Sequence, residues 1–120
     1  MDRHRDRDDI RLSHMLRYSR EAVALVQDRT RSELDSDRVL SLAVVRLIEI
    51  VGEAASRVSP ATRLDQPEIP RQEITSMRNR LIHGYDAVDM EILWQTLHQD
   101  LPPLIAALGR ILGSVPDAGA

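Results

Sequence analysis

Apolar residues recur at helical spacing through the first quarter of the chain and predict a first helix over residues 8–27. Asp8 and Asp9 suit its start, because the helix dipole favours negative charge there. The apolar positions of this segment are close to helical spacing and include Leu12, Met15, Leu16, Ala22, Val23 and Val26. The charged residues before it predict a frayed, solvated end, and polar residues 30–37 predict a connection.

A second and more continuous apolar pattern predicts a helix over residues 37–58, which Ser36 or Asp37 can cap. One stripe alternates spacings of four and three and consists of Leu40, Val44, Leu47, Val51, Ala54 and Val58. Other faces carry Val39, Leu42, Ala43, Val45, Ile48 and Ile50. A helix that is apolar on more than one side is either central or also packs against another subunit.

The segment that follows contains three prolines, and they predict a loop over residues 59–70. Pro70 can occupy the first turn of a third helix, predicted over residues 71–83 with Ile74, Met77 and Leu81 facing inward. Gly84 comes directly after it and is a residue type that ends helices.

The last apolar stripe predicts a final helix after a short turn at residues 86–89, and Asp89 can cap it. The stripe consists of Leu93, Leu97, Leu101, Leu104, Leu108 and Ile111. Pro102 and Pro103 fall within it and predict a kink or a restart, because proline cannot donate the helical hydrogen bond.

These elements predict an all-α protein, an antiparallel helical bundle of four to five helices with short connections. A length of 120 residues fits one domain, which we place at residues 1–113. Residues 114–120 have no periodic pattern and predict a disordered tail.

Composition narrows the chemistry. The chain has no cysteine, which excludes disulfides and thiolate zinc sites but leaves histidine and carboxylate metal sites open. Net charge is −3, so there is no global basic signal for nucleic acid, and every one of the 16 basic residues is arginine. A charged N-terminus and the lack of a long apolar segment predict a cytoplasmic protein without membrane contact.

Candidate chemistry is concentrated between Arg78 and Tyr85. Asn79 and His83 are four residues apart and would share a helix face, while Arg78 flanks the same side. Histidine can act as base or acid and arginine can stabilise a phosphoryl group, which are the two requirements for cleaving RNA without a metal. An arginine and a histidine on one helix are more often ordinary surface residues, so this pattern alone decides little.

The same stretch closely resembles the signature of the HEPN superfamily, in which an arginine, commonly followed by a polar residue, is separated from a histidine by four to six intervening residues. Here it is Arg78, Asn79, three residues and His83. The extension to Tyr85 resembles the HepT-like branch, the toxin half of HepT/MntA toxin–antitoxin pairs. Residues 50–55, 88–94 and 100–102 are similar to further segments of that branch.

The resemblance implies a HEPN helical bundle that forms a homodimer, with Arg78 and His83 of both subunits lining a shared cleft. The implied activity is that of a metal-independent endoribonuclease toxin without cofactors. The implied partner is an MntA-like nucleotidyltransferase antitoxin, which can transfer AMP to Tyr85. AMP there would exclude RNA by bulk and by like charge. The alternative is a non-catalytic helical dimer that binds a nucleotidyltransferase.

Two supporting residues complete the predicted site. Asn79 occupies the motif's polar position. Glu53 lies in an apolar segment, so we expect a buried carboxylate paired with Arg78 or Arg80. Because the chain is acidic, any basic patch that binds RNA must be local, and the candidates are Arg46, Arg57, Arg71, Arg78 and Arg80. Both tRNA and mRNA are plausible substrates.

Overall fold

A computed structural model describes residues 3–69, 74, 79, 82, 83 and 87–113. Its helices are α1 (Arg3–Val26), α2 (Arg31–Ser36), α3 (Arg38–Ser56), α4 (Pro60–Asp65), α5 (Met90–Gln95), a π-helical segment (Thr96–Asp100) and α6 (Leu101–Leu112). Two strands of two residues each, β1 (Ile82–His83) and β2 (Ala87–Val88), form an antiparallel pair. Helix α1 packs against both α3 and α6. The predicted all-helical bundle is confirmed.

The core follows the two predicted stripes. All six stripe residues of the second predicted helix are buried, and in the last stripe Leu93, Leu97, Leu101, Leu104 and Leu108 are buried while Ile111 packs half-buried against them. Each leucine of this size contributes roughly 1.5–3 kcal/mol by leaving water. On the outer side of α3, Val39 and Leu42 stay exposed.

Helix α1 begins at Arg3, so the predicted start at Asp8 and the predicted frayed end are wrong. Arginine is a good helix former, which favours extension of the helix toward the terminus. Asp8 does not cap the helix. It lies inside α1, is buried, and accepts hydrogen bonds from the chain between α3 and α4. This tether holds the early turns of α1 against the bundle.

Two predicted connections contain short helices instead. Residues 30–37 hold α2, which a reciprocal capping box between Thr30 and Glu33 stabilises. The predicted loop at 59–70 holds α4, with Ser59 as its N-cap and Pro60 in its first turn. The predicted cap of α3 is confirmed, because the Asp37 side chain accepts from the backbone N–H of Leu40.

The predicted third helix is only partly within the described residues. Ile74 and Asn79 are helical and Ile74 is buried. Ile82 pairs with Val88 and His83 with Ala87, so both the helix to His83 and the turn at 86–89 are wrong at these positions. β-Branched isoleucine favours strands, and glycine directly after His83 disfavours helix. Pro70, Met77, Leu81 and Gly84 lie outside the described residues.

The final helix is interrupted as predicted. Asp89 caps α5 by accepting from the backbone N–H groups of Glu91 and Ile92. The π segment follows, with the N–H of Leu101 bonded to the carbonyl of Thr96, and α6 restarts with proline in its first turn. The widened turn accommodates two residues that cannot donate backbone hydrogen bonds. The predicted tail at 114–120 lies outside the described residues.

Candidate functional site

The structure describes the predicted catalytic segment only in part. Asn79 is helical and exposed. The backbone of His83 belongs to β1, so His83 does not share a helix face with Asn79 in the way the spacing predicted. Arg78 and Tyr85 lie outside the described residues, as do the patch candidates Arg71 and Arg80. The convergence of Arg78 and His83 stays a prediction.

Glu53 is not the buried carboxylate that its apolar neighbours predicted. Its side chain is exposed, and Oε1 accepts a hydrogen bond of 2.8 Å from Nη2 of Arg57, one helical turn later. Gly52 and Ala54 on either side are buried. Since successive helical residues are rotated by 100°, a position between two buried ones can still face water. The pairing with Arg57 corrects the expected pairing with Arg78 or Arg80.

A basic groove runs between α1 and α3 and holds a cavity of about 560 Å³. We call it the α1–α3 groove. Its lining residues are Arg7, Ile10, Arg11, His14, Arg46, Ile50, Glu53, Ala54 and Arg57. The patch candidates Arg46 and Arg57 both line it. The sequence interpretation missed the α1 side of the groove. It placed Arg7 in a frayed end and did not connect Arg11 and His14 of the predicted first helix with Arg46 and Arg57, although Arg7, Arg11 and His14 follow a spacing of four and three.

Ion pairs hold the arginines of the α1–α3 groove in different ways. Arg11 is largely covered and donates to the backbone carbonyl of Arg57 at 2.8 Å, which ties α1 to the end of α3. The side chains of Arg46 and Arg57 are 70% and 63% exposed, and they pair with Glu49 and Glu53 on the same helix. Exposed pairs of this kind contribute only about 0–1 kcal/mol, so these guanidinium groups can change partners at low cost.

At one end of this helix pair lies a buried polar cluster, which we call the Asp8 junction. Its carboxylate accepts hydrogen bonds from the Ser59 backbone N–H at 3.1 Å, the Ser59 hydroxyl at 2.5 Å and the Thr62 hydroxyl at 2.6 Å, and it pairs with Arg11. Burial raises the pKa of Asp8, but these hydrogen bonds together outweigh burial and lower the pKa below its ordinary value of 3.8. The junction fixes the start of α4, from which the chain continues toward the predicted catalytic segment.

Trp94 and His98 form an aromatic contact on α5 and the π segment, with ring centroids 3.9 Å apart. Trp94 is half-buried and packs against the core. In the described part of the chain, no group of three or more histidine, aspartate or glutamate side chains could hold a metal ion. None of the described helices has the length and apolar character needed to cross a bilayer.

Comparison with known proteins decides the family. Residues 15–111 match the family described as ribonuclease HepT-like. The chain belongs to the HepT-like ribonuclease family. The match extends over most of the bundle and contains the whole stretch from Arg78 to Tyr85. The family resemblance seen in the sequence, and the predicted enzyme class of a ribonuclease, are thereby confirmed.

Individual relatives agree with this assignment. The chain is 38% identical to "Probable ribonuclease HepT" of Thermococcus cleftensis over 88 residues, which are 70% of this chain and 80% of the relative. It is 33% identical to "Putative RNase TTE0752" of Caldanaerobacter subterraneus subsp. tengcongensis over 101 residues, which are 84% of this chain and 90% of the relative. No solved structure matches the chain.

Proposed function

We propose that this HepT-like ribonuclease is the endoribonuclease toxin of a toxin–antitoxin pair. It cleaves RNA without a metal at a composite site in a homodimer, where Arg78 and His83 of both subunits act. A nucleotidyltransferase antitoxin neutralises it by adenylylating Tyr85. The observation that carries the proposal is the family match over residues 15–111, within which the sequence keeps arginine, histidine and tyrosine at the motif's positions.

The proposed reaction is a transesterification. A base takes the proton of a ribose 2′-hydroxyl, and the 2′-oxygen forms a bond to the adjacent phosphorus. The bond from phosphorus to the 5′-oxygen breaks, and an acid protonates that oxygen. The products are a 2′,3′-cyclic phosphate and a 5′-hydroxyl. In a dimer, two His83 side chains supply the base and the acid, and Arg78 stabilises the charge on the phosphoryl oxygens.

Asn79 supports the site as its exposed polar neighbour. It is helical and accessible to solvent, so its amide is available to hydrogen-bond a phosphate or a base edge. We assign Glu53 a supporting role through Arg57, whose guanidinium its carboxylate orients. Neither side chain supplies a proton in the proposed reaction.

Regulation would act through Tyr85. The phenol oxygen attacks the α-phosphorus of ATP, a new oxygen–phosphorus bond forms, and pyrophosphate leaves, while the phenol proton passes to the transferase or to water. The AMP group adds bulk and a negative phosphate two residues from His83. Both features oppose RNA, which is itself a polyanion.

The decisive experiment is RNA cleavage by purified, unmodified protein in EDTA, with tRNA and mRNA as substrates. We expect His83→Ala to lower the rate by roughly 10²–10⁴ because the proton-transfer group is lost. Arg78→Ala should lower it by about 10²–10³ because the transition-state charge is no longer stabilised.

Two surface variants serve as controls. His98→Ala and Arg110→Ala remove the same residue types from exposed positions, and both should cleave at the wild-type rate. If the wild type is inert on both RNAs while folded and unmodified, the protein is instead a helical dimer that binds a nucleotidyltransferase. If His83→Ala cleaves normally, His83 is not catalytic.

The modification is tested by incubating the protein with its nucleotidyltransferase and ATP and measuring intact mass. The expected result is the gain of an AMP group and loss of cleavage. Tyr85→Phe should gain nothing, whereas Tyr18→Phe should be modified normally, since Tyr18 is the other tyrosine of the chain and packs against the core. If the Tyr85→Phe variant is still modified, the residue that accepts AMP is not Tyr85.

A further inference from the structure

We propose that the α1–α3 groove binds the phosphate backbone of the RNA substrate, outside the residues that carry out cleavage. The proposal rests on the proposed function in that it takes RNA as the substrate. It adds a binding surface made by Arg46 and Arg57 on α3 and by Arg7 and Arg11 on α1.

Each wall of the groove presents its lining residues along one face of a helix. On α3, Arg46 and Arg57 are eleven residues apart, which is three helical turns, so they lie on one face and about 16 Å apart along the axis. Ile50 and Glu53 lie between them on the same face. On α1, Arg7, Arg11 and His14 form the facing stripe. A polyanion with regularly spaced charges can therefore contact both cations of α3 at once.

The charge of the groove contrasts with that of the whole protein. Four guanidinium groups and one carboxylate line it, in a chain of net charge −3. Arginine binds phosphate through two parallel hydrogen bonds. Its pairing with an exposed glutamate on the same helix is weaker. A phosphate group can thus displace Glu49 from Arg46 and Glu53 from Arg57. Within the part of the chain that the structure describes, four arginines line this one groove.

The apolar lining residues of the groove suit nucleotides rather than a bare anion. Ile10 is 57% exposed and Ile50 is half-buried, and both offer apolar surface to a ribose or a base. The exposed imidazole of His14 is an aromatic face on which a base can stack. A second copy of the chain fits less well, because matching grooves would bring like-charged arginines together.

The test measures binding apart from cleavage. The probe is a fluorescein-labelled, fully 2′-O-methylated oligoribonucleotide, which lacks the hydroxyl needed for transesterification. Fluorescence anisotropy gives its affinity for the full-length protein over a range of salt concentrations. Arg46→Gln/Arg57→Gln should weaken binding roughly 10-fold or more and reduce the slope of log affinity against log salt by about 1.4 for two lost contacts. Arg46→Lys/Arg57→Lys should keep most of the slope.

The matched control is Arg29→Gln/Arg110→Gln, which removes the same charge from two exposed ion pairs outside the α1–α3 groove. It should leave affinity and slope near wild type. Equal losses in both double variants, or none in the groove variant, would overturn the proposal. Molar mass from light scattering must match the wild type; if the groove variant changes mass and still binds the probe, this face is an interface between copies, and the RNA proposal is wrong.

Cleavage assays separate this inference from the proposed function. If the wild type binds the probe through the groove but does not cleave natural RNA, the proposal that the groove binds RNA is supported and the catalytic proposal is wrong. If the wild type cleaves and the groove variant binds and cleaves equally well, the catalytic proposal is supported and the proposal that the groove binds RNA is wrong.

Discussion

The Asp8 junction and the exposed pairs of the α1–α3 groove use the same chemical groups with opposite consequences. In the junction, a carboxylate with 1% exposure collects hydrogen bonds from Ser59 and Thr62. In the groove, the Glu53 carboxylate is about half exposed and meets a single guanidinium. Burial makes each lost bond expensive in the first case, and water replaces it in the second.

This difference separates a region that stabilises the fold, the Asp8 junction, from a region whose side chains can bind a ligand, the α1–α3 groove. A buried, fully hydrogen-bonded carboxylate resists exchange because no outside group can replace its partners. An exposed pair exchanges readily, which suits a surface that must release glutamate to take up phosphate. Both regions involve α1, which meets the start of α4 in the junction and α3 in the groove, so substitutions in one can be compared directly with substitutions in the other.

The largest expected effect is that of Asp8→Ala. It leaves the N–H and hydroxyl of Ser59 and the hydroxyl of Thr62 without their buried acceptor, and we expect the free energy of unfolding to fall by about 3–4 kcal/mol. Urea unfolding measures it. Asp9→Ala is the control, since Asp9 is the exposed neighbour on the same helix, and it should change stability by less than about 0.5 kcal/mol. If both variants lose the same free energy of unfolding, the Asp8 junction does not stabilise the fold more than an exposed carboxylate does.

Ser59→Ala should have the next largest effect. It removes both the N-cap of α4, whose hydroxyl accepts from Thr62 N–H, and one bond to Asp8. We expect a loss of about 1–2 kcal/mol in the free energy of unfolding. Thr30→Ala removes a cap of α2 that has no buried carboxylate and should cost less. If Thr30→Ala costs as much, the junction adds nothing to ordinary capping.

A smaller effect is expected from pH, because protonation removes only part of the Asp8 interactions. The pKa of Asp8 is lowered in the folded state, so its stabilisation is present above the unfolded value near 3.8 and is lost as the pH falls through the folded value. The stability gap between wild type and Asp8→Asn should therefore be constant at neutral pH and narrow below 3.8. A gap that stays constant in acid would contradict the lowered pKa.

The smallest effect is expected at Glu53. Glu53→Gln removes an exposed pair within one helix, and the free energy of unfolding should change by less than about 0.5 kcal/mol. Chemical denaturation at low and at high salt checks it. A loss above about 2 kcal/mol would mean that the carboxylate has a buried partner after all, as the sequence first suggested.

The long helices could be predicted from the sequence because their burial repeats with the helical period. Every stripe residue of the second predicted helix, from Leu40 to Val58, is buried, and the prolines marked the interruption before α6. Helices α2 and α4 have six residues each, too few for a period to emerge. Their capping residues, Thr30 with Glu33 and Ser59, were the available signals.

The site was harder to predict because its contacts join distant residues. Asp8 and Ser59 are 51 positions apart, and no local pattern pairs them. Glu53 was expected to be buried because its neighbours are apolar, yet its own helical position faces outward. The order of Arg78, Asn79, His83 and Tyr85 could be recognised as a family motif, whereas spacing alone misplaced His83 on a helix that does not include it.

The π segment of residues 96–100 determines which face of α6 points toward the core. Leu93, Leu97 and Leu101 are separated by two successive steps of four, and an ordinary α-helix would let this ladder drift sideways by about 40° at each step. The wider turn absorbs part of that drift, so Leu104 and Leu108 return to the core. Losing one residue there would rotate the rest of the chain by about 100° and turn its leucines toward water. The length of this short segment is therefore as constrained as the identity of any core residue.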